Sequence, residues 1–410
     1  MTRIILISVL ALISFNSFAK NPVILLSVDG FSQRYLKEYQ PKNILALSRN
    51  GVIAQGLIPT FPSKTFPNHL SIVTGMYPAN HGIIHNNFYN RSLQLYYTKG
   101  AAANNPAWLF AKPIWTIAEQ QGIKSAIYFW PESEAKIDGV LPSYYFKYKH
   151  NESNLNRINQ IVDWLKLPEN QRPELIIGYF STIDDAGHHY GPNSTELAQA
   201  VKDFDQLLGQ LLDKINQETE LTPNFVLVSD HGMMTVDKQK NLLWKTLFEN
   251  FTSLNIVNGQ TQLFIYEKNQ NILNDVRSHL SSLPVKSYFQ VFDKSDYPEH
   301  WHFNNHNAAV PDMVINALPP TIFIDEHSDN NPGVHGYDPY GQDELTGIFI
   351  TQGPDVKTGI QIDAFENIHV FSLLEKLLEI SPSDQVDSQI SILSNVINTT
   401  KANKLITKSN

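Results

Sequence analysis

The chain has 410 residues, 40 Asp and Glu against 31 Lys and Arg, a net charge of -9 and no cysteine. Such a length suits one large α/β domain with inserts, or two domains, and a core of that size needs no disulfide. The acidic balance and the lack of any polybasic tract exclude a nucleic-acid-binding surface driven by counterion release. Small anionic substrates stay open, because a bound metal ion can reverse the sign of a site locally.

In chain order, Met1–Arg3 is short and basic, Ile4–Phe15 is almost wholly apolar, and Ser17-Phe18-Ala19 has a small-x-small pattern. This predicts a secretory signal peptide over 1–19, cleaved near Ala19, since the apolar run is too short to span a bilayer. No later stretch is long and apolar enough to do so, and the expectation is a periplasmic or secreted protein without a membrane anchor.

Short apolar runs at Pro22–Val28, Lys124–Phe129, Glu174–Phe180, Asn224–Ser229 and Gly347–Thr351 read as buried strands. Between them, Ile44–Arg49, Pro113–Gln121, Leu155–Leu167, Thr195–Glu218 and Asn367–Ile380 carry helical periodicity. The alternation predicts an α/β fold with a mainly parallel central sheet flanked by helices, with functional residues beyond the carboxyl ends of the strands. Two strand-like runs around a helix predict a small α+β insert or cap over 261–292. The catalytic domain then covers 20–260 and 293–380, with Pro298–Asn307 as an ordered loop and 381–410 as a polar, peripheral tail.

Asp29, Asp184 and Asp230 each follow a strand-like run. A single Asp in such a place is ordinarily a turn former or helix cap. These three have company: His188 follows Asp184, His231 follows Asp230, and His335 stands further on in His335-Gly336-Tyr337-Asp338. Carboxylate and imidazole without thiolate suit Zn²⁺ well and Mn²⁺ less well. Six such ligands suit two ions, which can clamp the attacking and leaving oxygens of an in-line displacement at phosphorus. Thr65, just before a helix-like Asn68–Val73, fits an N-cap; a helix N-terminus and a metal would equally favour its alkoxide as a nucleophile.

Lys64-Thr65-Phe66-Pro67-Asn68-His69, Thr74-Gly75-Met76-Tyr77-Pro78, His81-Gly82-Ile83 and Phe129-Trp130-Pro131-Glu132-Ser133 occur in that order. Asp184–Pro192, Ser229-Asp230-His231-Gly232-Met233 and His335-Gly336-Tyr337-Asp338 follow. Together they resemble the nucleotide pyrophosphatase/phosphodiesterase family of the alkaline phosphatase superfamily, from about Val23 to Gly353. The resemblance implies an alkaline-phosphatase-like core and two Zn²⁺, with Mn²⁺ as the alternative. Asp184, His188 and His335 would hold one ion, and Asp29, Asp230, His231 and the Thr65 oxygen the other. It further implies that Thr65 is the nucleophile and Asn86 a donor to a non-bridging phosphate oxygen. Phe66, Tyr145 and Tyr179 would flank a nucleobase.

The activity implied is hydrolysis of nucleotide phosphodiester or pyrophosphate bonds, releasing nucleoside 5′-monophosphates through a phosphoryl-threonine. The alternatives on the same metal site are a lysophospholipid or choline phosphodiesterase and an alkaline phosphomonoesterase. The latter needs extra positive groups, and only Lys64 is motif-linked. Ile183 stands where the family usually has proline, and Asn87-Phe88-Tyr89-Asn90 departs from a common Met-Tyr-Asp. His69, His81, His85, His300, His302 and His306 are expected to be structural. Asp185, His189 and His327 are runners-up to their neighbours.

Overall fold

The computed structural model describes residues 20–303, 307–326, 331–383 and 385–398; the expected signal peptide, His306 and His327 lie outside the described residues. An eight-stranded sheet organises the chain. Its strands are Val23–Val28 (β1), Val52–Ala54 (β2), Ser125–Tyr128 (β3), Tyr144–Phe146 (β4), Leu175–Phe180 (β5), Asn224–Val228 (β6), Phe349–Gln352 (β7) and Ile360–Ile362 (β8). They lie in the order β8-β2-β7-β6-β1-β5-β3-β4. Only β7 runs against its neighbours, so the sheet is mainly parallel, as the sequence implies. β1 and β5 are buried at every position, which is why they read as unbroken apolar runs rather than as alternation.

Helices follow the same logic. In Thr195–Glu218, Ser194 caps the start by accepting from the Leu197 amide at 3.1 Å. Leu197, Val201, Phe204, Leu208, Leu211 and Ile215, spaced by three and four, then bury one face. The helix Thr182–Tyr190 was not foreseen. It is short and polar, and so carries little apolar period.

The register sets up the site. Val28 pairs with Phe180, and Ser27 with Val228, so β1, β5 and β6 end level with one another. Asp29, Asp184 and Asp230 leave the sheet side by side at its carboxyl edge. Gly30 makes the first turn possible: its φ is +72°, and a Cβ there would sit 2.8 Å from the Asp184 Cα.

A second, antiparallel sheet joins Asn255–Asn258, Gln262–Tyr266, Met313–Ala317 and Phe289–Asp293, in that order. It thus recruits strands on either side of 261–292. Leu263 and Ile265 enter a small core with the helix Gln270–Ser282, while Phe264 and Tyr266 pack on the main core. The two-residue period lets one strand serve both. In the following loop, Trp301 stacks on Phe61 at 3.8 Å, which orders the segment. The described part of the C-terminal tail does not stay at the surface. Leu393 and Val396 are fully buried, and Asp387 accepts from the Tyr77 amide and from Asn80, both at 2.8 Å.

Candidate active site

The structure brings the six expected ligands together as two groups, Asp29 with Asp230 and His231, and Asp184 with His188 and His335. Within each group the candidate atoms lie within 4.8 Å of one another. Asp184 and His188 sit four residues apart on the unforeseen helix, Thr182–Tyr190, so they share one face. His231 Nε2 is 2.9 Å from Asp230 and 3.4 Å from Asp29, and it stacks on His335 with ring centroids 3.5 Å apart.

The donor set fits divalent cations. His188, His231 and His335 each donate Nδ1–H to a backbone carbonyl: Gly333 at 2.9 Å, Gly232 at 2.9 Å and Ser63 at 2.7 Å. Those bonds fix the tautomer whose Nε2 lone pair faces the carboxylates. Lone pair facing carboxylate is repulsive unless a cation lies between. The same demand shows in Asp29 Oδ1, Asp184 Oδ1 and Asp230 Oδ2, which are buried without hydrogen-bond partners.

Electrostatics carry the imprint. Burial, then the Asp230 and Asp184 carboxylates, push the Asp29 acid well above its ordinary range. Burial would raise Asp230 too, but His231 and His69 outweigh it and hold that carboxyl low. Burial pulls His231 down, and Asp230 wins in the other direction. His335 is lowered by burial and by its histidine neighbours. Burial likewise draws the Lys64 ammonium down to about 7, with Asp184 opposing and Lys99 adding to the shift.

Thr65 is the first residue of the helix Thr65–Thr74, and the N-cap position belongs to Lys64. The Thr65 hydroxyl therefore does not cap the helix. It lies 3.3 Å from His231 Nε2, at the helix's positive end. Asn68 holds the preceding loop by bonding to Thr60, Pro62 and Lys64. Lys64 donates to the His335 carbonyl at 2.8 Å, clasping this loop to the His335 segment. Asn86 accepts from the Phe66 amide at 3.0 Å through Oδ1, which leaves its Nδ2 as a donor beside Thr65.

A cavity of about 560 Å³ opens beside Asp29, Thr65 and Asp184. Phe66, Trp130 and Tyr148 line it, as expected for Phe66. Two aromatic assignments change. Tyr145 does not line the cavity; it packs half-buried on the main core, and Tyr148, beyond the end of β4, takes the lining position. Tyr179 does line it but is buried, and its hydroxyl donates to Asp29 Oδ2 at 2.5 Å. That contact orients a ligand carboxylate rather than flanking a base. Spacing along Tyr144-Tyr145-Phe146-Lys147-Tyr148 could not separate the candidates; the rule that sites lie past the carboxyl ends of strands favours Tyr148.

The remaining histidines have other work. His69 bonds the Thr65 carbonyl at 2.9 Å and Asp230 at 3.2 Å, so it supports the site from behind. His81 bonds Ser71 and the Pro67 carbonyl. His300 pairs with Asp338 at 2.9 Å, and His302 stacks on Tyr77. Asp185 accepts from Ser181, and His189 is exposed.

A family model described as type I phosphodiesterase / nucleotide pyrophosphatase matches residues 23–338. The chain is 31% identical over 385 residues to venom phosphodiesterase 2 of Crotalus adamanteus, covering 89% of this chain and 46% of that protein. It is 33% identical over 379 residues to ectonucleotide pyrophosphatase/phosphodiesterase family member 3 of Bos taurus, covering 88% and 42%. The chain thus spans less than half the length of these relatives. Murine ectonucleotide pyrophosphatase/phosphodiesterase 5, solved as an inactive variant in complex with AMP, superposes with a TM-score of 0.84 at 26% identity. That match covers 92% of this chain and 100% of the murine chain. With most of its length matched in sequence and in this alkaline-phosphatase-like fold, the chain belongs to the type I phosphodiesterase / nucleotide pyrophosphatase family.

Proposed function

We propose that the chain is a metal-dependent hydrolase of nucleotide phosphodiester or pyrophosphate bonds, releasing nucleoside 5′-monophosphates through a phosphoryl-threonine on Thr65. The observation that carries this reading is the placement of the Thr65 hydroxyl. It stands at a helix N-terminus, 3.3 Å from His231, where the ligand groups meet an aromatic-lined cavity. The AMP bound to the murine relative supports a nucleotide there. The venom and ectoenzyme names of the relatives support a periplasmic or secreted setting, and no helix among the described residues is long and apolar enough to cross a membrane.

Two Zn²⁺, or Mn²⁺ in their place, would be held by Asp29, Asp230, His231 and Thr65 and by Asp184, His188 and His335. Such ions supply Lewis-acid stabilisation of attacking and leaving oxygens and make the threonine hydroxyl acidic. The protein does the rest. Thr65 Oγ1 bonds to phosphorus as the bond to the leaving oxygen breaks, and water then cleaves the phosphoryl-threonine. Asn86 Nδ2 donates to a non-bridging oxygen, aided by the helix N-terminus. Tyr179 and His69 hold Asp29 and Asp230 in place. Phe66 and Tyr148 flank the base.

The test is a purified-protein panel of ATP, a dinucleoside polyphosphate, a nitrophenyl nucleotide ester, a lysophospholipid and a phosphomonoester. Turnover of the first three with nucleoside 5′-monophosphate as product is expected, with net retention at a chiral thiophosphate because two inversions occur in sequence. Preference for the lysophospholipid or the monoester, or inversion at phosphorus, would refute it. The aromatic assignment has its own check. Tyr148→Ala should raise KM for a nucleotide about tenfold, the size of one lost stacking contact. Tyr145→Ala should change it less, and the reverse order would restore Tyr145 to the site.

A further inference from the structure

A second cavity, of about 400 Å³, lies on the other side of Asn86 and is bordered by Lys64 and Lys99. Its opposite wall comes from the second sheet. Asn258 and Gln260 sit in the turn between Asn255–Asn258 and Gln262–Tyr266, and Asn258 Nδ2 donates to Asp325 at 3.3 Å.

This wall is fastened to the Asn86 loop. Asn87 Nδ2 donates to the Asn258 carbonyl at 2.7 Å, and His85 Nδ1 is 3.2 Å from the Asn87 amide nitrogen. Gly259 permits the approach, since a Cβ there would stand 2.5 Å from the His85 ring. Gln260 is fixed with φ at 69°, its amide bonded to Asn258 Oδ1 at 2.8 Å and its carbonyl accepting from the Phe323 amide at 2.7 Å. The turn is therefore built, not loose.

The two cavities differ in chemistry. The first offers Phe66, Trp130 and Tyr148 to a flat ring; the second has no Phe, Tyr or Trp among the described residues that line it. It offers ammonium groups on one wall and amides with a carboxylate on the other. Amides and carboxylates accept from and donate to hydroxyls, as a sugar requires, whereas a carboxylate repels a further phosphate.

We infer that this second cavity seats the leaving portion of the substrate and favours a sugar phosphate, with Lys99 and Lys64 toward its phosphate and Asn258, Gln260 and Asp325 toward its hydroxyls. The inference rests on the phosphodiesterase reading and deepens it. The bond broken joins the nucleoside-bearing phosphorus to the bridging oxygen, whose electron pair leaves with the sugar phosphate. In the net reaction water gives its hydroxyl to the nucleotide and its proton to the sugar phosphate.

UDP-glucose, UTP and the nitrophenyl ester of UMP share one transferred nucleotide, so their kcat/KM ratios report the leaving side alone. Wild-type protein should prefer UDP-glucose over both. Asp325→Asn and Gln260→Ala should each lower the ratio of UDP-glucose to the ester about tenfold, the scale of one lost polar contact to a charged or fixed partner. Asp325→Asn should also raise UTP relative to UDP-glucose by removing a negative charge. Because Asp325→Asn keeps an acceptor for the Trp244 indole, the fold has no reason to fail. Ratios unchanged in both variants, or a wild-type preference for UTP or the ester, would overturn the inference while leaving the phosphodiesterase reading intact. No turnover of any of the three would overturn that reading and this inference with it.

Discussion

Thr65→Ala is expected to abolish turnover, with kcat lower by on the order of 10⁴-fold or more, the scale of losing a nucleophile. The protein should nevertheless fold, because the substitution removes nothing the helix needs. Lys64 holds the N-cap position, and the described bonds of the first turn run through the backbone and Asn68 rather than through the Thr65 hydroxyl. Both ligand groups also keep all three of their Asp and His members. Circular dichroism and metal content close to wild type, with no burst of product in a single turnover, is the expected pattern. Thr65→Ser should recover part of the rate, since it restores an oxygen at the same helix end. Activity in Thr65→Ala above about a hundredth of wild type would show that another group attacks phosphorus, because electrostatics alone leave only a small remainder.

Much of the site was legible because the fold encodes it in local terms. β1, β5 and β6 are short apolar runs, and the residues that matter follow their carboxyl ends within a few positions. An Asp after such a run is unremarkable, and only the pairing with His188, His231 and His335 separated three of them from turn formers. The sequence did not reveal that Asp184 and His188 share a helix, because Thr182–Tyr190 has too few apolar residues to show a period. β2, β4 and β8 escaped for a related reason: each has three residues, too few for a pattern.

The second sheet shows a different limit. Its strands are brought together from 255 to 317 by pairing across long stretches of chain, which no local window can see. Tyr179 illustrates the same point at one residue. As an aromatic at the end of a strand it looked like a stacking group, yet its hydroxyl is spent on Asp29. Whether a tyrosine uses its face or its oxygen depends on what tertiary structure sets beside it.

Removal of divalent metal should both stop turnover and lower stability, and the two ligand groups should be separable by mutation. Three carboxylates leave the sheet together, with one oxygen of each buried and unpartnered, so the ion-free cluster is held against its own repulsion. Cations bound there reverse that cost, and at a thousandfold excess over its Kd each site adds about 4 kcal/mol of stability. A chelator should therefore lower Tm, and Zn²⁺ should restore both Tm and activity. His335→Ala removes one member of the group with Asp184 and His188 but leaves Asp29, Asp230 and His231 in place. The variant should bind one equivalent of metal where wild type binds two, as Asp230→Asn should by loss of the other. Asn keeps the shape of that buried site while withdrawing the charge. Retention of two equivalents in both variants would mean that the ions are held elsewhere. Loss of both in each would mean that the stacked His231 and His335 rings couple the groups into a single unit.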